Sequence, residues 1–175
     1  MHRKKIQTVA IISDTHGFLN KDIAEVIKQC DIAVHAGDVG NADVIAAIQP
    51  KSGQVYLVKG NNDIAPKWPV EQKSMLAQLP EHIELDLPGG KLAVIHGHRQ
   101  NPLAARHTLL RKLYSTARVI VYGHSHRLCI DQEHIPWVLN PGAAGKSRTY
   151  GGATCLVLHV SHNHWHLDTV RVTGS

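Results

Sequence analysis

The chain has 175 residues, 43% of them hydrophobic, enough for one domain spanning residues 1–175 and too little for a second core of ordinary size. Its net charge of +5 comes from scattered Lys and Arg, and a single Phe among few aromatics gives no stacking platform, so no specific nucleic-acid site is expected. Three cysteines, Cys30, Cys129 and Cys155, form no CxxC pair and argue against a disulfide framework, so the chain reads as cytoplasmic with its thiols buried as small hydrophobes.

In chain order, Arg3, Lys4 and Lys5 precede an apolar run of only Val9-Ala10-Ile11-Ile12. That run is too short for a signal-peptide core or a membrane span, and no membrane association is expected. It predicts a buried strand that ends on Ser13-Asp14-Thr15-His16-Gly17. Residues 20–29 place Ile23, Val26 and Ile27 at helical spacing behind a capping Asn20. Ile32-Ala33-Val34 predicts a second strand, leading into His35-Ala36-Gly37-Asp38. Asn41 caps a second helix to Ile48, and Val55-Tyr56-Leu57-Val58 leads into Lys59-Gly60-Asn61-Asn62-Asp63. Leu92-Ala93-Val94-Ile95 leads into His96-Gly97-His98. Residues 101–114 form a further helix, with Pro102 near its start where proline is tolerated. Val119-Ile120-Val121-Tyr122 then leads into Gly123-His124-Ser125-His126.

Short Val- and Ile-rich runs are what strands buried on both faces look like. Their alternation with helices predicts an α/β fold with a largely parallel sheet, whose ligands bind beyond the carboxyl ends of the strands. After Val121, residues 128–131, 137–139, 153–160 and 164–172 predict short strands joined by turns, as a second, mostly antiparallel sheet packed on the first.

Five times an apolar run hands over to residues that bind metals. The set is Asp14, His16, Asp38, Asn61, His96, His124 and His126: two carboxylates, one amide, four imidazoles and no thiolate. Such donors suit Mn²⁺, Fe²⁺, Ni²⁺, Co²⁺ or Zn²⁺. Seven donors exceed one ion of ordinary coordination and suffice for two if the Asp38 carboxylate bridges them. Two ions roughly 3.5–4 Å apart clamp the attacking and leaving oxygens of a phosphoryl group. Two divalent ions against two carboxylates and one hydroxide leave net positive charge, which favours a phosphate anion.

The ordered blocks DTH, GD, GNND, HGH and GHSH, with NPGA at residues 140–143, resemble the calcineurin-like metallophosphoesterase superfamily, and within it the small YfcE-like phosphodiesterase branch. The resemblance runs from Asp14 to about Tyr150. It implies a two-sheet αββα sandwich, with mixed sheets flanked by helices. It also implies two ions: Asp14, His16, Asp38 and His126 on one, Asp38, Asn61, His96 and His124 on the other. Mn²⁺ is the favoured metal. The implied reaction is hydrolysis of a small-molecule phosphate ester, a phosphodiester above all, by in-line attack of a metal-bridging hydroxide. Members of the family often self-associate, so a homo-oligomer is compatible, though no interface is legible.

One departure matters. Many relatives carry a histidine after the ligand Asn, where this chain has Asn62, and an amide cannot supply a proton. Leaving-group protonation then falls to another group, with His98 a candidate, or is largely dispensed with, and the expected catalytic set is Asp38, Asn61, Asn62, His96 and His98. The contrasting reading is a non-catalytic scaffold for protein partners, like the retromer subunit of this fold. Such scaffolds typically lose part of the ligand set, and this chain keeps every position. Among the other histidines, His35 is expected in the core or behind a ligand. His159, His162, His164 and His166 are expected on a solvated hairpin face, and His2, His82, His107 and His134 show no partner pattern. Asp63 is expected to buttress the Asn61 turn or a ligand histidine. Gly145-Lys146-Ser147 fails as a phosphate loop because Asn140 stands where its first Gly would be; by the resemblance Asn140, Gly142 and Arg148 contact substrate or shape the pocket, and a plain loop is an equally good reading of the stretch.

Overall fold

The structure, a computed structural model, describes residues 6–173, so His2, Arg3, Lys4 and Lys5 lie outside the described residues. Strand β1 (Gln7–Ile12) pairs in parallel with β2 (Ile32–His35), and β2 with β3 (Val55–Leu57). On the other side of β1, β9 (Ala153–Val160) runs antiparallel, followed by β10 (Trp165–Val172) at the edge. The second sheet has the order β4 (His82–Leu87), β5 (Gly90–Ile95), β6 (Val119–Val121), β8 (Trp137–Pro141), β7 (Leu128–Asp131), with a parallel centre and antiparallel edges.

This corrects one expectation. The five ligand-bearing runs do not share a sheet: β1, β2 and β3 lie in one, β5 and β6 in the other, and both sheets are mixed. An apolar run reports burial on two faces but not the neighbour it pairs with. β9 reads as a late antiparallel strand and is one, yet it returns to β1 because both its faces are covered there.

The two sheets close on a shared core, with Val9, Ile11, Val34, Leu156 and Leu158 meeting Leu92, Val94, Val121 and Leu139. On the outer face of the first sheet, Ala10, Ile12 and Ala33 pack under Ile23 and Ile27 of α1 (Lys21–Gln29) and Val44 of α2 (Ala42–Ala47). The outer face of the second carries Leu110 of α4 (Arg106–Leu113) and Tyr114 over Ala93, Ile120 and Val138. The layers are therefore αββα. Asn20 caps α1 as expected, its Oδ1 accepting from Asp22 N at 2.9 Å, and Asn41 Oδ1 caps α2 by accepting from Val44 N at 3.0 Å. The helix expected over residues 101–114 is α4 behind a 3₁₀ turn at Leu103–Ala105. β4 and the short α3 (Lys73–Gln78) have no counterpart in the sequence reading. No helix among the described residues is long and apolar enough to cross a membrane.

Candidate metal centre

Each ligand-bearing loop begins where its strand ends, and backbone hydrogen bonds lace the loops together. Asp14 N donates to Gly37 O at 3.0 Å and His16 N to Asp38 O at 2.9 Å, tying the loop after β1 to the loop after β2. Within the second sheet Gly123 N donates to His96 O at 3.0 Å, and across the sheets' boundary Ala144 N donates to Ser13 O at 2.9 Å. Two glycines let this happen. A Cβ on Gly60 would stand 2.1 Å from Asp38 Oδ1, and one on Gly123 would stand 2.0 Å from Ser13 Oγ.

The seven candidate ligands converge in two groups that share Asp38. In one, Asp14 Oδ1 lies 3.4 Å from His126 Nε2, and His126 Nε2 lies 3.1 Å from His16 Nε2. In the other, Asn61 Oδ1 lies 3.0 Å from both His96 Nε2 and His124 Nδ1. Asp38 Oδ2 faces both groups, 3.6 Å from His16 Nε2 and 3.5 Å from His96 Nε2. Five of the seven, Asp14, His16, Asp38, His124 and His126, have left-handed backbone with φ between 47° and 70°. Such backbone is rare outside glycine and persists where the surroundings over-determine it, typically at functional sites.

Two histidines have their tautomers set from behind. His96 Nδ1 lies 2.8 Å from Ala36 O, and His126 Nδ1 lies 3.1 Å from Ser147 O. Donation to those carbonyls keeps the proton on Nδ1 and leaves Nε2 facing the centre, the usual arrangement behind a metal-ligating imidazole. Asp38 is held by Asn62, whose N and Nδ2 donate to its two oxygens at 2.8 and 2.7 Å. Ser13 Oγ donates to Asp14 Oδ2 at 2.7 Å, as does His124 N at 3.0 Å. Asp14 Oδ1 is buried and accepts no hydrogen bond.

The charges match a cation. Burial pushes the Asp14 carboxyl up to about 7, with the neighbouring Asp38 charge adding to the rise. Burial alone would raise Asp38 as well, but hydrogen bonds from His96 and Asn62 and the His96 charge hold it below the ordinary carboxylate range. Burial lowers His126 to about 4 and lowers His16 and His124, so these imidazoles are neutral at pH 7. His96 runs the other way. Burial disfavours its charge, yet Asp38 and Asp14 raise its pKa above the ordinary imidazole value. A buried, unpartnered carboxylate oxygen beside neutral imidazoles and no thiolate fits divalent borderline ions.

The other expected residues fall as follows. His98 stands at the margin, its ring centroid 5.4 Å from His96 and 6.2 Å from His124; its Nδ1 is buried without a partner, and burial lowers its pKa. His35 is fully buried behind the site, its Nε2 2.8 Å from Thr15 Oγ1. Asp63 buttresses the Asn61 turn through Gly60 N at 2.8 Å. Asn140 and Gly142 do not face the pocket: Asn140 is buried and donates to Gly123 O at 2.8 Å and Ser125 Oγ at 3.0 Å, holding the loop that carries His124 and His126. Arg148 does reach the site, with Nη2 2.9 Å from His126 Nε2. Sequence reasoning missed Ser13 and Lys67, whose Nζ donates to Asn62 Oδ1. Ser13 was visible as the residue before Asp14, whereas Lys67 gave no signal.

Two recesses flank the Asn61 turn. One of about 180 Å³ is lined by His16, Asp38, Asn62 and Lys67, and one of about 290 Å³ by Asn61, His98, Lys59, Glu81 and Arg99. A larger cavity of about 470 Å³, lined by Gln7, Ile32 and Gln54, lies at the opposite ends of the strands and touches none of the seven.

The family model of the calcineurin-like phosphoesterase superfamily domain matches residues 8–163. The chain belongs to this superfamily. Phosphodiesterase MJ0936 of Methanocaldococcus jannaschii is 25% identical over 145 residues, covering 77% of this chain and 82% of that protein. Among solved structures, a single mutant of Vps29 from Entamoeba histolytica aligns with a TM-score of 0.73 at 15% identity, over 95% of this chain and 99% of its own. An archaeal phosphodiesterase aligns with a TM-score of 0.68 at 21% identity, over 94% and 100%. These likenesses establish the αββα calcineurin-like fold. Calcineurin-like phosphoesterases use divalent metals, and the Asp and His groups brought together here are of the kind that holds them.

Proposed function

We propose that this calcineurin-like chain is a dinuclear, metal-dependent phosphodiesterase. The observation that carries the reading is the pairing of two donor groups through Asp38, one of them containing a buried carboxylate oxygen with no hydrogen bond. Asp14, His16, Asp38 and His126 would hold one cation and Asp38, Asn61, His96 and His124 the other, with Mn²⁺ favoured. Bound there, the cations supply Lewis-acid activation of water and neutralise charge on the phosphate.

The chain's own groups do the rest. The Ala36 and Ser147 carbonyls orient His96 and His126, and Asn62 fixes the Asp38 carboxylate. Lys67 and Arg148 flank the site from two sides and attract an anionic ester. Recesses on both sides of the Asn61 turn offer room for two ester arms, which supports a diester over a monoester. Asn62 carries no transferable proton. His98, its pKa lowered by burial, is mostly neutral at pH 7 and donates to a leaving group weakly, so diesters with good leaving groups are the faster substrates. The Vps29 likeness keeps a partner-binding scaffold as the contrasting reading, and the complete donor set supports hydrolysis.

The test is turnover of an activated aryl phosphodiester by Mn²⁺-loaded protein. Activity is expected to vanish in Asp38→Ala and His96→Ala and after chelation. Undiminished turnover in both variants and in chelator would refute the assignment.

A further inference from the structure

Away from the metal centre, four titratable side chains meet on the outer face of the β9–β10 hairpin. His159 and His166 are direct cross-strand partners. Strand alternation puts His164 and Asp168 on the same face as His166. His159 Nε2 lies 2.8 Å from Asp168 Oδ2, and His166 Nε2 lies 3.0 Å from Asp168 Oδ1. The His159 and His166 ring centroids are 5.9 Å apart; His164 stacks on His166 at 6.4 Å with the planes 11° apart. On the opposite face, Leu158, Val160 and Trp165 are buried in the shared core, so the backbone bearing the four polar residues is fixed.

We propose that this hairpin is a second kind of cation site, binding Zn²⁺ through His159, His166 and Asp168 with His164 as a further donor. Imidazole and carboxylate donors without thiolate suit borderline divalent ions. Both Nε2 atoms already point at one carboxylate, each donating a proton to one of its oxygens. In the Nδ1–H tautomer each imidazole presents its Nε2 lone pair, so one cation can take the place of the two N–H donors and keep the carboxylate paired, with no net loss of protons from the neutral imidazoles. The side chains are open enough to turn onto a common centre, with His166 and Asp168 60% and 54% exposed. The basic residue of β10, Arg171, lies at the opposite parity and donates to Tyr150 O, so it does not compete for Asp168. The site shares no donor with the metal centre. An ion here clamps the edge strand β10 to β9 and takes no part in hydrolysis.

Equilibrium dialysis of tag-free full-length chain against Zn²⁺, followed by metal analysis, tests this. His159→Gln/His166→Gln is expected to hold about one Zn²⁺ fewer per chain than the parent. The same difference is expected in an Asp38→Asn background, where the central ions are weakened. Hydrolysis by Mn²⁺-loaded double variant should match wild type. Asp168→Asn, which keeps both imidazoles, should weaken hairpin binding at least about tenfold. In wild type, Zn²⁺ should shift the side-chain nitrogen NMR signals of His159 and His166. Equal Zn²⁺ stoichiometry in the double variant and its parent, or imidazole signals unmoved by Zn²⁺, would overturn the proposal.

Discussion

Asp14 concentrates the electrostatics of the site in one residue. Its ordinary value of 3.8 is raised to about 7 by burial, so without ions the folded chain holds a proton that the unfolded chain has already lost. Asp14's own contribution to the stability of the ion-free protein, read as the difference between wild type and Asp14→Asn, should therefore fall as pH rises from about 4 to about 7 and level off above. A cation requires the ionised carboxylate, so Mn²⁺ affinity should climb over the same window. Calorimetry at pH 6 in buffers of different ionisation enthalpy should register at least about one proton released per binding event, Asp14 and His96 being the sources. Affinity independent of pH across this range would contradict the linkage.

At the scale of elements, the loop after β3 depends on Asp63. Its carboxylate accepts from Val39 N at 3.0 Å, Gly40 N at 2.9 Å, Gly60 N at 2.8 Å and Trp68 Nε1 at 3.1 Å, riveting the loop of Asp38 to the loop of Asn61. Asp63→Ala leaves these donors without their acceptor. A loss on the order of 3 kcal/mol is expected in urea unfolding, with Mn²⁺ affinity reduced about 10–100-fold. A wild-type midpoint would show that the rivet is dispensable. The sequence revealed the turn-bracing part of this role, because Asp63 stands next to Asn62, but not its reach to Val39 and Gly40 from a loop 24 residues earlier. The same limit recurs. The five strands and both Asn caps were legible because apolar runs and capping residues are local signals. The division of the runs between sheets was not, since pairing partners are tertiary. β4 alternates exposed and half-buried residues at the sheet edge, so it lacks the continuous apolar run that marked the other strands. His107 showed no pattern, yet its Nδ1 lies 2.7 Å from Asp131 Oδ2 and its Nε2 3.1 Å from Tyr122 OH, partners that only the packing of α4 on the second sheet supplies. The hairpin histidines were read correctly as an exposed face; their convergence on Asp168 depends on the cross-strand register.

For the whole molecule, the centre is a joint between the sheets. Asp14, His16, Asp38 and Asn61 come from loops of the first, and His96, His124 and His126 from loops of the second. Ions held there cross-link the sandwich at its rim. At about 100 times its dissociation constant, an ion that binds only the folded chain adds about 2.7 kcal/mol. For a chain of this length that raises the melting temperature by about 5–10 °C, and a chelator should reverse the gain. Scanning calorimetry with and without chelator decides this, and coincident transitions would mean that the rim holds no cation.

The left-handed residues give that joint an evolutionary direction. Non-glycine residues in this conformation cost about 1–2 kcal/mol each. His124, with φ 70° and a half-buried ring, is the place to measure it. In chelator, His124→Gly should melt above wild type, whereas in Mn²⁺ the order should invert; a lower melting point in chelator would assign the cost elsewhere. Mutational drift toward a sturdier ion-free fold thus leads away from hydrolysis, and a descendant freed from turnover would gain thermal resilience by shedding its imidazoles first.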